Sequence, residues 1–225
     1  MDIIVGSSRA RDMGSGLTSY NIEKYYKPGG KILDMKELID NHKIYNHGTS
    51  PLFPGEKFFV YTIVGICDIT TKINNRKNNH CEIIYDQDYS ENILTMQDHF
   101  LELESHIIAN SLIPVFGTIV PVHLEKANNF LFDHGKTKFL KHSLDYYEMQ
   151  TDILKVINAV NDFLTLRNDI NNVNTLALHT TVLHNVKKGK KHLRHIDLFD
   201  GVHPNSKLSL KWNNILRQTI NNNRK

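Results

Sequence analysis

A carboxylate stands three residues ahead of a histidine near one end of the chain, in Asp200-Gly201-Val202-His203-Pro204, and a serine stands near the other, in Gly6-Ser7-Ser8. Together these are the parts of a hydroxyl nucleophile with its base. A carboxylate on the same loop as an imidazole can hold it in the tautomer that takes a proton from a hydroxyl, and a serine at a strand-to-helix turn presents that hydroxyl. The order Ser8, Asp200, His203 is one of several in which such a triad runs along a chain.

Each residue also has a plainer reading. Ser8 can cap a helix, Asp200 can open a turn ahead of Gly201, and His203 can be an ordinary loop histidine. Other chemistries are less well supplied. The 13 histidines are scattered, and neither His179/His184 nor His192/His195 has a Cys, Asp or Glu at ligand spacing, so no metal and no cofactor is expected. Gly14-Ser15-Gly16 lacks both the Lys-Ser/Thr ending of a P-loop and the Gly-x-x-Gly continuation of a dinucleotide fingerprint. Tyr25-Tyr26 and Tyr146-Tyr147 can stack on bases, although aromatic pairs more often serve packing.

The elements that must position Ser8, Asp200 and His203 alternate between strands and helices. Ile3 to Gly6 reads as a buried strand, Ser19 to Tyr26 as a poorer one, and Phe58 to Ile66 as the strongest, apolar on both faces as a central parallel strand requires. Leu112 to Val122 and Thr175 to Leu183 complete five. Helical spacing appears at Ile32 to Ile39, Ile93 to Ile108 and Ile153 to Leu164, and Asn205 or Ser206 can cap a last helix carrying Leu208, Trp212, Ile215 and Leu216. Asn74 to Asp88 reads as mostly irregular, residues 123–148 as an excursion, and 220–225 as a flexible tail. In a sheet covered on both sides the ligand site forms beyond the carboxyl ends of the strands. Gly6-Ser7-Ser8, Pro28-Gly29-Gly30, Gly65-Ile66-Cys67-Asp68 and the Asp200/His203 loop all fall at such ends.

Length and apolar content suit one domain over residues 1–225. The apolar start Ile3-Ile4-Val5 is too short for a secretory signal and no run approaches a membrane span, so an intracellular chain, cytoplasmic or nuclear, is expected. Cys67 and Cys81 lack paired-motif spacing and are expected to be free thiols. A net charge of +3 does not by itself call for nucleic acid. The basic run Lys187, Lys188, Lys190, Lys191 and Arg194 is either a solvated loop or a polyanion-binding patch.

Taken together, Gly6-Ser7-Ser8-Arg9-Ala10-Arg11, Pro28-Gly29-Gly30 with Leu33, Gly65-Ile66-Cys67-Asp68 and Asp200-Gly201-Val202-His203 resemble, over most of the chain, the SGNH or GDSL-type hydrolase superfamily. The resemblance implies an α/β fold of three layers, α/β/α, on a mainly parallel five-stranded sheet in flavodoxin-like order. It also implies a serine esterase or deacylase without cofactor, with Ser8 as nucleophile, His203 as base and Asp200 orienting it. The N–H of Gly29 or Gly30 would join that of Ser8 in an oxyanion hole, with Gly65, Cys67 and Asp68 bordering the substrate, an acyl ester of a small molecule, lipid or sugar. Two positions depart from the pattern: Ser7 stands where the family has Asp, and Cys67 where it has Asn. A thiol is a weak donor, and loss of one oxyanion-hole donor costs about 10²–10³ in rate in a serine protease. These departures and the basic run motivate an alternative, a module of the same fold that binds RNA or a protein.

Overall fold

An unbroken apolar run can be a strand when both of its faces are covered. The computed structural model describes residues 2–14, 20, 22–41, 57–75, 80–85, 87–135, 144–186, 190–193 and 197–225. In it β1 (Asp2–Gly6) is buried throughout, and β2 (Ile22–Tyr26) pairs with it in parallel. After α1 (Asp34–Asp40) comes β3 (Phe59–Ile63), also fully buried and parallel to the other side of β1. The short α2 (Ile66–Ile69) leads into a hairpin of β4 (Thr71–Asn75) and β5 (His80–Ile84). Then follow α3 (Tyr89–Ala109) and β6 (Ile113–Phe116), parallel to β3. Helices α4 (Leu124–Asp133) and α5 (Leu144–Ile170), a second hairpin of β7 (Leu183–Val186) and β8 (Lys190–Leu193), and α6 (Ser206–Asn223) complete the order.

The sheet runs β2-β1-β3-β6, all parallel. Alternate residues feed two cores. Ile3, Val5 and Val60 meet Met35, Phe100, Ile107, Val156 and Val160 from α1, α3 and α5. Ile4, Phe59 and Tyr61 meet Trp212, Leu216 and Ile220 from α6. The result is the expected three-layer α/β/α arrangement.

The fifth strand is shorter than its apolar sequence suggests. Thr175 to Leu183 contributes one parallel bridge, Gly117 to Leu176, and then turns into a single 3-10 turn at His179–Thr181. The bridge still lies beyond β6, so the flavodoxin-like order holds. Its physical reason is on α5: Asn168 Oδ1 accepts from Phe116 N at 2.8 Å while its Nδ2 donates to Phe116 O, and Asn161 does the same for Ile119. Both asparagines are buried. Their side chains take the ladder positions that a longer fifth strand would fill, and β6 itself ends at Phe116, not Val122, where its pairing with β3 ends at Thr62.

Three other expectations need correction. Residues 74–88, read as irregular, hold most of the first hairpin; residues 71–74 are exposed and only β5 turns apolar side chains such as Cys81 and Ile83 inward, so the first strand has no apolar alternation for periodicity to report. The excursion at 123–148 contains α4, whose buried Asn128 brackets both backbone groups of Ile83 and docks the hairpin. Residues 220–225 are not a loose tail: Ile220 is fully buried, α6 continues to Asn223, and Arg224 pairs with Asp2 at 2.8 Å. No helix among the described residues is long and apolar enough to cross a membrane.

Candidate active site

Gly6 closes β1 where an added Cβ would lie 2.4 Å from Ile63 O and 2.6 Å from Ala10 Cβ, so only glycine permits the following turn. Ser7 N donates to Ile63 O and the chain enters a 3-10 turn over Ser8–Asp12. Ser8, half-buried, is thereby set at the carboxyl end of a central strand.

The loop ahead of α6 reaches the same point. Asp200 Oδ1 accepts from the backbone N–H groups of Val202 and His203 at 2.9 and 2.6 Å, while Oδ2 meets His203 Nδ1 at 2.6 Å. A carboxylate only accepts, so Nδ1 carries the proton and the neutral ring leaves Nε2 as acceptor. Ser8 Oγ lies 2.9 Å from that Nε2. Burial opposes ionisation of Asp200, but the bonds from the His203 ring and from the His203 and Val202 amides together hold its carboxyl below the usual value. Gly201, at φ +79°, passes so close to α4 that His123 N donates to its carbonyl at 2.8 Å. Phe199 stacks on the His203 ring at 6.1 Å.

Ser8, Asp200 and His203 open onto a cleft of about 730 Å³. Of the other residues expected there, Gly29 and Cys67 line it. Gly29, at φ +73°, is the third corner of the turn Lys27-Pro28-Gly29-Gly30, which Gly30 N closes on Lys27 O at 2.8 Å. That bond takes the Gly30 N–H, and Gly30 is buried behind the rim. The Gly29 N–H has no acceptor among the described residues. Gly65, at φ +114°, faces Ile119 and Met96 in the core. Asp68 turns the other way: it accepts from Ile32 N at 3.1 and 3.2 Å and borders a separate cleft of about 500 Å³ with Lys31, Asp88, Glu91 and His99. Burial pushes its carboxyl up to about 7. Cys67 is a free thiol whose ionisation burial makes harder.

Arg9 is a component that sequence reasoning passed over. Fully buried next to Ser8, it donates from Nε to Val202 O at 2.9 Å, from one terminal nitrogen to Pro121 O at 3.1 Å and from the other to Val120 O. Burial lowers its guanidinium to about 10. A cation directly after the serine was the available signal. Arg11, from the same block as Ser8, also lines the cleft, as do Lys31, Lys72, Phe130 and Leu131, which stand in none of the quoted motifs.

Lys190 and Lys191 pair with Val186 and Asn185 in the second hairpin, whereas Lys187, Lys188 and Arg194 lie outside the described residues. Among the described residues no group of three His, Cys, Asp or Glu is placed to hold a metal ion.

No family model matches the sequence, and no curated protein resembles it at the sequence level. Solved structures share its fold at low sequence identity. A GDSL-like lipase from Bacteroides thetaiotaomicron superposes with a TM-score of 0.60 at 12% identity, covering 98% of this chain and 87% of that one. An acetyl xylan esterase superposes at 0.53 with 16% identity, covering 98% and 100%. The C-terminal domain of Drosophila Oskar does so at 0.54 with 10% identity, covering 97% and 87%. The chain therefore has the fold of the SGNH/GDSL hydrolases.

Proposed function

We propose that the protein is a serine hydrolase acting on acyl esters. The observation that carries the proposal is the continuous chain Ser8 Oγ, His203 Nε2, His203 Nδ1, Asp200 Oδ2, with contacts of 2.9 and 2.6 Å, at the head of an open cleft. In this reading Ser8 Oγ attacks the ester carbonyl carbon as His203 Nε2 takes its proton, and Asp200 stabilises the imidazolium. The carbonyl oxygen gains the negative charge, held by the N–H groups of Ser8 and Gly29. Collapse breaks the C–O bond to the alcohol, which leaves with the proton from His203. Water, deprotonated by the same nitrogen, then releases the acid and restores Ser8. Cys67, which lines the cleft, stands at the motif position of a third donor, and a thiol there makes turnover slow in this reading.

The fold alone does not choose the chemistry, and a second reading keeps the scaffold for binding RNA or a protein. Cys67 and the basic run favour that reading; the aligned side chains favour hydrolysis. The test is labelling by a fluorophosphonate and turnover of a short-chain p-nitrophenyl ester by wild type and Ser8→Ala. Signals present in wild type and lost in Ser8→Ala support the hydrolase. Neither signal from folded wild-type protein would overturn it in favour of binding.

A further inference from the structure

The cleft is lopsided in charge. Arg11, Lys31 and Lys72 line it, and its one carboxylate among the described residues, Asp200, is engaged by His203. Neighbouring Lys27 and Lys36 are held by Asp34 and Glu102, whereas Lys31 and Lys72 are exposed and make no direct ion pair among the described residues, Lys31 feeling Asp34 and Asp68 only through space. The cleft on the far side of Lys31 has the opposite character, with Asp68, Asp88 and Glu91. So the cations around Ser8 are a local arrangement and not a share of the small net charge of +3. Much of the remaining wall is apolar: Ala127, Phe130 and Leu131 come from α4 and Ile83 from the hairpin, next to Lys72 in the cross-strand register.

Resting on the hydrolase reading, we propose that the substrate is an ester combining an apolar chain with an anion, the anion held by Lys31 and Lys72 with Arg11 and the chain laid against Ile83, Phe130 and Leu131. A neutral ester fills only the apolar part of this cleft. The anion can belong to the alcohol, as in a phosphorylated glycerol, or to the far end of the acyl chain, as in a half-ester of a dicarboxylic acid. In either case two exposed cations supply discrimination of about tenfold at low salt, falling as salt screens them.

The test compares kcat/KM on 1-octanoylglycerol, 1-octanoylglycerol 3-phosphate and the glycerol half-ester of suberic acid, for wild type and for Lys31→Glu/Lys72→Glu. Using the ratio within each protein cancels any general loss of activity. A preference of about tenfold for one anionic ester, abolished in the double variant, is expected, and the preferred ester identifies where the anion sits. Equal rates on all three, or a preference that survives charge reversal, would overturn the proposal. Calorimetric binding of octyl phosphate against octyl glucoside, below their micellar concentrations, needs no turnover and separates this idea from the hydrolase reading. Tighter binding of the phosphate, lost in the double variant, sustains the anion site even in a protein without esterase activity. Equal binding of the two amphiphiles rejects it and leaves Ser8-dependent turnover untouched.

Discussion

Arg9 Nε donates to the carbonyl oxygen of Val202 at 2.9 Å, so the residue after Ser8 is tied to the residue before His203. The same guanidinium bonds Val120 O and Pro121 O, joining three segments that meet at the cleft. Fixing the separation of Ser8 and His203 is therefore a property of a buried cation as well as of the sheet.

Replacing that cation is expected to be costly. Hydrogen bonds from a charged donor contribute about 1.5–3 kcal/mol each, and Arg9→Met leaves three carbonyls without their donor. A net loss of about 3 kcal/mol corresponds to a Tm lower by roughly 10 °C for a chain of this size. Calorimetry, with the rate of phosphonate labelling in parallel, checks both stability and alignment. A Tm unchanged to within about 2 °C would mean that the clamp carries no weight.

Two glycines at the cleft separate backbone strain from crowding. Gly29 and Gly201 both have positive φ, but a Cβ on Gly29 meets nothing within 4 Å, whereas one on Gly201 would lie 2.5 Å from Ala127 N. Gly29→Ala is expected to cost about 1 kcal/mol and Gly201→Ala about 3 kcal/mol or more. Urea denaturation measures the difference; equal midpoints would show that the Gly201 loop can move off α4.

Asp68 sets a pH dependence of stability. Desolvation raises its folded pKa from 3.8 to about 7, partly offset by the bonds from Ile32 N. The folded protein then binds the proton more tightly than the unfolded chain, so this contribution is fully present below about pH 4 and is lost as pH rises through 7. Asp68→Asn keeps an acceptor for Ile32 and removes the charge. It should raise stability at pH 8 by on the order of 3 kcal/mol and change little at pH 4. Denaturation midpoints at the two pH values give the answer, and an equal shift at both would contradict the burial argument.

Cys67 offers a gain-of-function experiment. If the cleft lacks an amide donor for the developing oxyanion, Cys67→Asn should raise kcat by about tenfold or more with little change in KM. Because burial holds the wild-type thiol above its ordinary value of 9.0, alkylation by iodoacetamide should be slow at pH 7. A fall in kcat for Cys67→Asn would show that the position is filled for packing.

The segments at the two termini are the most legible. Gly6-Ser7-Ser8 and Asp200-Gly201-Val202-His203 carry their geometry locally: a glycine forced by close backbone approach, and a carboxylate that accepts from the amides two and three residues further on. The central strands are equally plain because burial on both faces leaves an apolar run. Less legible is whatever depends on one side chain meeting a distant backbone. Asn128, Asn161 and Asn168 look like part of an asparagine-rich composition, yet each is a buried bracket for a specific residue. Gly65 and Asp68 match a motif and still face away from the cleft, because motif spacing does not say which side of the α2 turn a residue occupies.

The bracketing of Phe116 and Ile119 has a further consequence. The outer margin of a parallel sheet is a template on which a foreign strand, or a second copy, can crystallise. Here the rungs at both residues are already filled from the chain's own helix, and Leu176 fills the one at Thr118. The margin is sealed by amides and not by a strand. Trading Asn161 or Asn168 for an aliphatic residue would unseal it, turning a self-limiting sheet into one prone to aggregation through open rungs.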